Sequence, residues 1–203
     1  MTKHITRRTA LSGIIAAAAA TILFVAGCSA QAPESASSTP AGAQNLIAEL
    51  GFSGKNAKDI ITELDRLPLA ERSTELMASI RPDFLVLKDA ANREASVPMP
   101  EDEFYVSVAP YVSQTHGCHF HSLTTCVGEL ANQSVDVEVT NDATGEVIMK
   151  KAVQTYDNGF MGLWLPRGIA ATLVVTHDGL TATQQLSTKA DDDATCVTTA
   201  QLS

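Results

Sequence analysis

The chain has 203 residues, with 14 Lys+Arg against 23 Asp+Glu and a formal net charge of -9. That acidic balance argues against a nucleic-acid binder, which needs a basic stripe to meet phosphates. A hydrophobic share of 45% excludes wholesale disorder, and four cysteines are too few for a disulfide-stapled miniprotein.

Residues 1–27 read as an export signal. Lys3, Arg7 and Arg8 form a basic start, and Ile14 to Ala26 is an apolar run too short for a comfortable membrane span. The run ends in Val25-Ala26-Gly27-Cys28, small residues before a cysteine, as lipoprotein signal peptidase requires. Cys28 is therefore the expected lipidation site, and the mature chain is expected outside the cytoplasmic membrane, lipid-anchored in the periplasm or at the cell surface. The alternative is an uncleaved N-terminal anchor. The Arg7-Arg8 pair also hints at twin-arginine export. Taking residues 1–27 and their three basic side chains from the total leaves 176 residues, 11 basic against 23 acidic, a net -12. Three thiols remain once Cys28 is assigned to lipid, an odd number worth attention in an exported protein.

Residues 28–43 are small, polar and Pro-bearing, and read as a flexible tether. Residues 44–100 read as a helical N-terminal region. Leu46, Ile47 and Leu50 start one apolar face, and Ile60, Ile61, Leu64 and Leu67 repeat at helical spacing before Pro68. A third helical segment is expected through Leu69, Leu76, Met77 and Ile80, ending before Pro82, with a short strand around Phe84 and Val86. This region reads as a packing or homodimerisation unit with no soft metal ligands.

From residue 101 the period changes to two. Phe104, Val106 and Val108 alternate with Tyr105 and Ser107, and Val135, Val137 and Val139 alternate with Asp136 and Glu138. Turns are expected at Asn141–Gly145, Asp157-Asn158-Gly159 and Asp178-Gly179, and a final strand over Thr195–Leu202 carries Cys196. The fold class is α+β: a small helical region followed by a β-rich, antiparallel sandwich-like domain over residues 101–203.

The chemistry is concentrated between His116 and Cys126, where three histidines (His116, His119, His121) and two thiols (Cys118, Cys126) fall within 11 residues. These are soft and borderline ligands for Cu(I), Cu(II) and, alternatively, Zn(II). Cys118 and Cys126 would lie about 26 Å apart along a strand and about 12 Å apart on a helix. One site for both therefore needs the chain to fold back, and Ser122 can start the turn that does so. In an extended stretch His119 and His121 share one face and Cys118 the other, so a site joining Cys118 to a histidine needs a kink or His116. Cys196 must come from another strand and could complete a three-thiol cluster. Spacing alone leaves three readings open: a structural Cys126–Cys196 disulfide with Cys118 free, a metal site, or thiol–disulfide chemistry. There is no P-loop, GxGxxG, HExxH or GxSxG.

The run from Pro110 to Leu130, and the ending Ala194-Thr-Cys196-Val-Thr-Thr199, closely resemble the periplasmic copper-binding CueP family. The resemblance implies a helical N-terminal part, a β-rich C-terminal part and a copper-binding role in resistance or supply. It also implies that Cys118, Cys126 and Cys196 are the copper-associated thiols, with His119 and His121 inside the motif. Copper ions are the implied ligand. A cuproenzyme or a thiol reductant is the implied partner, and thiol-dependent reduction of Cu(II) is an implied activity. The lipobox at Cys28 departs from a soluble periplasmic protein.

Overall fold

The computed structural model describes residues 40–203; the expected leader, Cys28 and His4 lie outside the described residues. The first helix, α1 (Pro40–Glu49), begins inside the stretch expected as tether, so the last four tether residues are helical. Proline suits the first helical position because its missing N–H is not needed there. The helix closes on Gly51 at φ +84°, where Gly51 N–H bonds Ala48 O and Phe52 N–H bonds Ile47 O, a Schellman arrangement.

Helix α2 (Ala57–Arg66) starts at Asn56, whose side chain accepts from Asp59 N–H at 2.9 Å. It buries Ile60, Ile61 and Leu64, as the spacing predicts, and also Asp65. The third expected helix is not formed. Leu69–Glu71 makes a single 3₁₀ turn, and Leu76–Ile80 is a strand. Leu76, Ala78 and Ile80 alternate as buried positions, a period of two that the wider spacing of Leu69 and Leu76 disguised.

Three sheets follow. β1 (Leu76–Ile80), β2 (Phe84–Asp89) and β3 (Glu94–Pro98) form an antiparallel meander, so residues 44–100 are not purely helical. β4 (Glu103–Val108) and β7 (Met161–Pro166) pair antiparallel, and the short β10 (Cys196–Val197) adds in parallel to β4. The third sheet has the order β6-β5-β8-β9, from β5 (Ser134–Asn141), β6 (Val147–Gln154), β8 (Ala170–His177) and β9 (Leu180–Ser187). The β8–β9 hairpin turns through Asp178 and Gly179, both at positive φ (51° and 82°), as the Asp-Gly pair predicts. The outcome is mostly β with a small helical part.

β4 is buried on both faces, and this positions the site. Phe104, Val106 and Val108 join β5, β7 and β8 in the sandwich core. Tyr105 points the other way, into a second core that α2 makes with the β1–β3 sheet. A third cluster of Ala109, Cys126, Phe160 and Cys196 sits just past the end of β4. The final strand is shorter than expected: only Cys196–Val197 pair as β10, with an isolated bridge from Gln201 to Tyr111.

Candidate metal centre

The segment after β4 is held through its backbone, by side chains of Glu129 and Thr195 as well as by main-chain bonds. Glu129 accepts from the N–H groups of Val112 (2.7 Å), Ser113 (2.9 Å) and Gln114 (3.2 Å). These bonds hold its carboxyl below the ordinary glutamate range. Thr195 and Cys196 both donate from the backbone to His119 O, at 3.0 and 3.1 Å. Thr195 Oγ1 donates to Ile80 O at 2.7 Å and accepts from His121 N–H at 3.0 Å. His121–Leu123 then runs along the edge of β1, with Ile80 N–H on His121 O and Leu123 N–H on Ala78 O, each at 2.8 Å.

The predicted fold-back occurs at Ser122. Cys126 N–H bonds Ser122 O at 3.2 Å, and Ser122 Oγ accepts from Thr125 N–H at 3.2 Å. The turn brings Cys126 Sγ to 3.6 Å from Cys118 Sγ. Cys118 is disulfide-bonded to Cys196 across 78 residues, and among the described residues Cys126 is the free thiol, and it is buried. This corrects the alternative pairing of Cys126 with Cys196. Spacing in sequence could not choose between two cysteines that the same turn places side by side.

Two overlapping clusters result. His116, Cys118 and Cys126 have ligand atoms all within 4.8 Å of one another, and so do His121, Cys126 and Cys196. Cys126 is common to both. The first opens to solvent through the exposed His116; the second is buried. His121 Nδ1 lies 3.8 Å from Cys196 Sγ, and its ring stacks at a tilt on Phe160 with centroids 4.7 Å apart.

Of the two histidines expected at the site, only His121 reaches the thiols. His119 belongs to neither cluster. It is exposed, its Nε2 is 2.9 Å from Asp192 O, and its ring meets Phe120 edge-on. The alternation that puts His119 and His121 on one face of a strand is broken by the bonds to Thr195, which send the two rings to different surroundings. His116, which the spacing offers in place of a kink, is the histidine beside Cys118.

Sequence reasoning missed the residues behind the imidazole. Asp65 of α2 is 1% exposed, and its Oδ2 accepts from Tyr105 Oη–H. Its Oδ1 lies 3.7 Å from His121 Nε2. Arg72 crosses beneath, donating to Leu123 O at 2.7 Å and to Asp65 O at 3.2 Å. A buried Asp at an apolar-periodic edge of α2 was the available signal.

The electrostatics follow from these contacts. Burial pushes the Cys126 thiol up, but the neighbouring His121 imidazole and its charge, the Ser122 N–H at 3.4 Å and Arg72 together bring it below the ordinary thiol range. Burial pushes His121 down, yet Asp65 and Cys126 together raise it above the ordinary imidazole value. Burial, with Asp65 nearby, pushes the Tyr105 phenol well up, so it stays a donor. Deprotonated sulfur beside imidazole is what a soft metal requires.

A family model described as periplasmic copper-binding protein CueP matches residues 59–201. The crystal structure of S.CueP is 38% identical in sequence and superposes with a TM-score of 0.72, covering 79% of this chain and 96% of that one. No curated protein matches.

Proposed function

The chain belongs to the CueP family of periplasmic copper-binding proteins, and from that premise we propose that it holds Cu(I) through the thiolates of Cys118, Cys126 and Cys196 once the disulfide is reduced. The observation that carries this reading is the sulfur triangle. Cys126 is 3.6 Å from Cys118 Sγ and within 4.8 Å of Cys196 Sγ, with a buried imidazole at the same cluster. Two or three thiolates with an auxiliary imidazole suit Cu(I), and zinc is the competing ion. His121 supplies the buried nitrogen and His116 the one at the solvent side.

Oxidation of Cys118 and Cys196 to their disulfide releases two electrons and two protons, enough to reduce two Cu(II) to two Cu(I). The disulfide form is then the spent state, and an external thiol reductant returns it. A thiol–disulfide oxidoreductase that uses Cys126 to open the Cys118–Cys196 bond is less well supported. Displacement at sulfur runs along the S–S axis, and with a bond of about 2.05 Å an in-line Cys126 would sit well beyond 4.8 Å from the far sulfur. Cys126 stands to the side of the bond instead, within 4.8 Å of Cys196.

The sequence before residue 40 supports an exported protein with residues 1–27 removed, Cys28 carrying lipid and a tether leading to the folded part. Residues 44–100 then serve as the α2-bearing wall of the site and 101–203 as its copper-binding part. The acid-rich surface, at net -12 for the mature chain, contributes only a weak attraction for cations at physiological salt.

The deciding experiment is competition for Cu(I) against a chromophoric chelator, before and after reduction, with a thiol count on each sample. The reading expects one thiol and weak competition in the oxidised protein, and three thiols and about one Cu(I) per chain after reduction. A reduced protein that cannot compete removes it.

A further inference from the structure

We infer that Asp65 is a positioning residue for the copper centre: through His121 Nε2 it holds the imidazole so that Nδ1 faces the sulfurs. The inference rests on the reading of that cluster as the copper site and adds a residue from the helical region to it.

Asp65 lies in the last turn of α2, where a carboxylate opposes the helix dipole, and it is 1% exposed. Both features are costly, and packing alone does not call for either. One oxygen has a partner, since Oδ2 accepts from Tyr105 Oη–H. The other, Oδ1, makes no hydrogen bond, and neither does His121 Nε2. These two buried, unpartnered atoms lie 3.7 Å apart, and His121 is 0% exposed. A proton on Nε2 directed at Oδ1 answers both.

The hydroxyl that fixes Asp65 is itself cradled. Any Cβ on Gly162 would collide with Tyr105 Oη, so the glycine in β7 leaves the space the hydroxyl needs. The order is then Gly162, Tyr105, Asp65, His121 and finally Nδ1, 3.8 Å from Cys196 Sγ. With Nε2 committed as donor to Asp65, the Nδ1 lone pair is the one available to metal. A carboxylate behind a ligating histidine fixes its tautomer and raises its basicity, and removing such a partner costs about 10–100-fold in metal affinity.

The test reads the ring nitrogens directly. Long-range ¹H–¹⁵N spectra of the full metal-free chain, oxidised and reduced, are recorded for wild type, Asp65→Asn and Tyr105→Phe, alongside Cu(I) competition. Wild type is expected to show the neutral tautomer, Nε2 protonated and Nδ1 bare, in both forms. Asp65→Asn keeps the shape, but an amide nitrogen facing His121 makes Nε2 an acceptor and moves the proton to Nδ1. Its Nε2 signal is expected to become that of a bare nitrogen, and Cu(I) affinity to fall about 10–100-fold. Tyr105→Phe keeps the carboxylate and is expected to keep Nε2 protonated.

A wild-type Nε2 without a proton overturns the inference. So does an Asp65→Asn chain with unchanged ring signals and unchanged Cu(I) affinity. If Asp65→Asn fails to fold, the wild-type and Tyr105→Phe spectra still decide. Failure of reduced wild type to bind Cu(I) would remove the copper reading while leaving the tautomer result standing, so the two failures are distinguishable.

Discussion

Cys126 Sγ stands 3.6 Å from Cys118 Sγ although Cys118 is already bonded to Cys196. The turn from Ser122 thus keeps a third sulfur against a closed disulfide, where it takes no part in the staple. Cys126→Ser therefore separates the two roles. The disulfide and the fold should survive, with stability lowered by about 1–2 kcal/mol, since a hydroxyl replaces a thiol in the buried cluster with Ala109 and Phe160. Cu(I) affinity of the reduced protein should fall by more than the roughly 10–100-fold that loss of a supporting partner costs, because both clusters lose a ligand. Chelator competition on the reduced variant checks it, and an unchanged affinity counts against Cys126 as a ligand.

The histidines give an independent contrast. His116 shares a cluster with Cys118 and Cys126, whereas His119 turns to Asp192 and Phe120. His119→Ala is expected to leave Cu(I) affinity within about 3-fold, near the ±0.5 kcal/mol of a surface change. His116→Ala is expected to slow Cu(I) uptake by the reduced chain and to weaken its binding. Stopped-flow loading from a weak Cu(I) complex reads both, and equal behaviour of the two variants would remove His116 from the centre.

Opening the disulfide should cost stability that copper then restores. Cys118–Cys196 closes a loop of 78 residues, and removal of such a link typically costs 2–5 kcal/mol. At roughly 2–4 °C per kcal/mol for a domain of this size, reduction should lower Tm by about 4–20 °C. Cu(I) at 100 times its Kd should return about 2.7 kcal/mol by mass action. Differential scanning of oxidised, reduced and Cu(I)-loaded protein checks the order. A loaded form no more stable than the reduced form would show that copper does not bind the native state in preference.

Much of this was legible beforehand, and the omissions share a cause. Period-two alternation placed β4 and β5, and Asp178-Gly179 marked the hairpin between β8 and β9, because each signal is local. The third helix failed because Leu69 and Leu76 fit a helical period while Leu76, Ala78 and Ile80 also fit a strand. The edge of β1 was claimed by His121–Leu123, a pairing between residues more than 40 apart in sequence. The disulfide partner, the separation of His119 from His121 and the role of Asp65 are non-local in the same way. Thr195, 74 residues from His121, decides where that imidazole sits.

Gly162 tests how tightly the cradle is built. A Cβ there meets the Tyr105 ring and hydroxyl in the buried face of β4. Gly162→Ala is expected to destabilise by about 1–3 kcal/mol, as overpacking usually does. Gly162→Ala combined with Tyr105→Phe should lose less than the sum, since the worst collision is with the hydroxyl. Denaturant titration of the double-mutant cycle reads the coupling; strict additivity would mean the glycine serves the strand and not the tyrosine.

The loop before Cys196 should contribute a pH dependence of its own. Asp193 Oδ2 accepts from Ser187 Oγ–H (2.7 Å), Lys189 N–H (2.7 Å) and Ala190 N–H (2.8 Å), two residues ahead of Thr195. Partial burial pushes its carboxyl up, but these bonds outweigh that and hold it below the ordinary aspartate value. A folded pKa below the unfolded one means the stabilisation is complete above the unfolded value of about 3.9. It is lost as pH falls through the folded value. Asp193→Asn keeps an acceptor but not the charge. It should cost about 1 kcal/mol at neutral pH, modest because the loop is partly solvated. The gap between wild type and variant should hold from pH 7 to about pH 5 and close below pH 4. Because Thr195 Oγ1 anchors both Ile80 O and His121 N–H, a frayed Asp193 loop should also speed alkylation of Cys126 at pH 7. Urea titrations across that pH range, with alkylation timed by mass spectrometry, check both; a pH-independent gap would mean the carboxylate charge adds nothing to the loop.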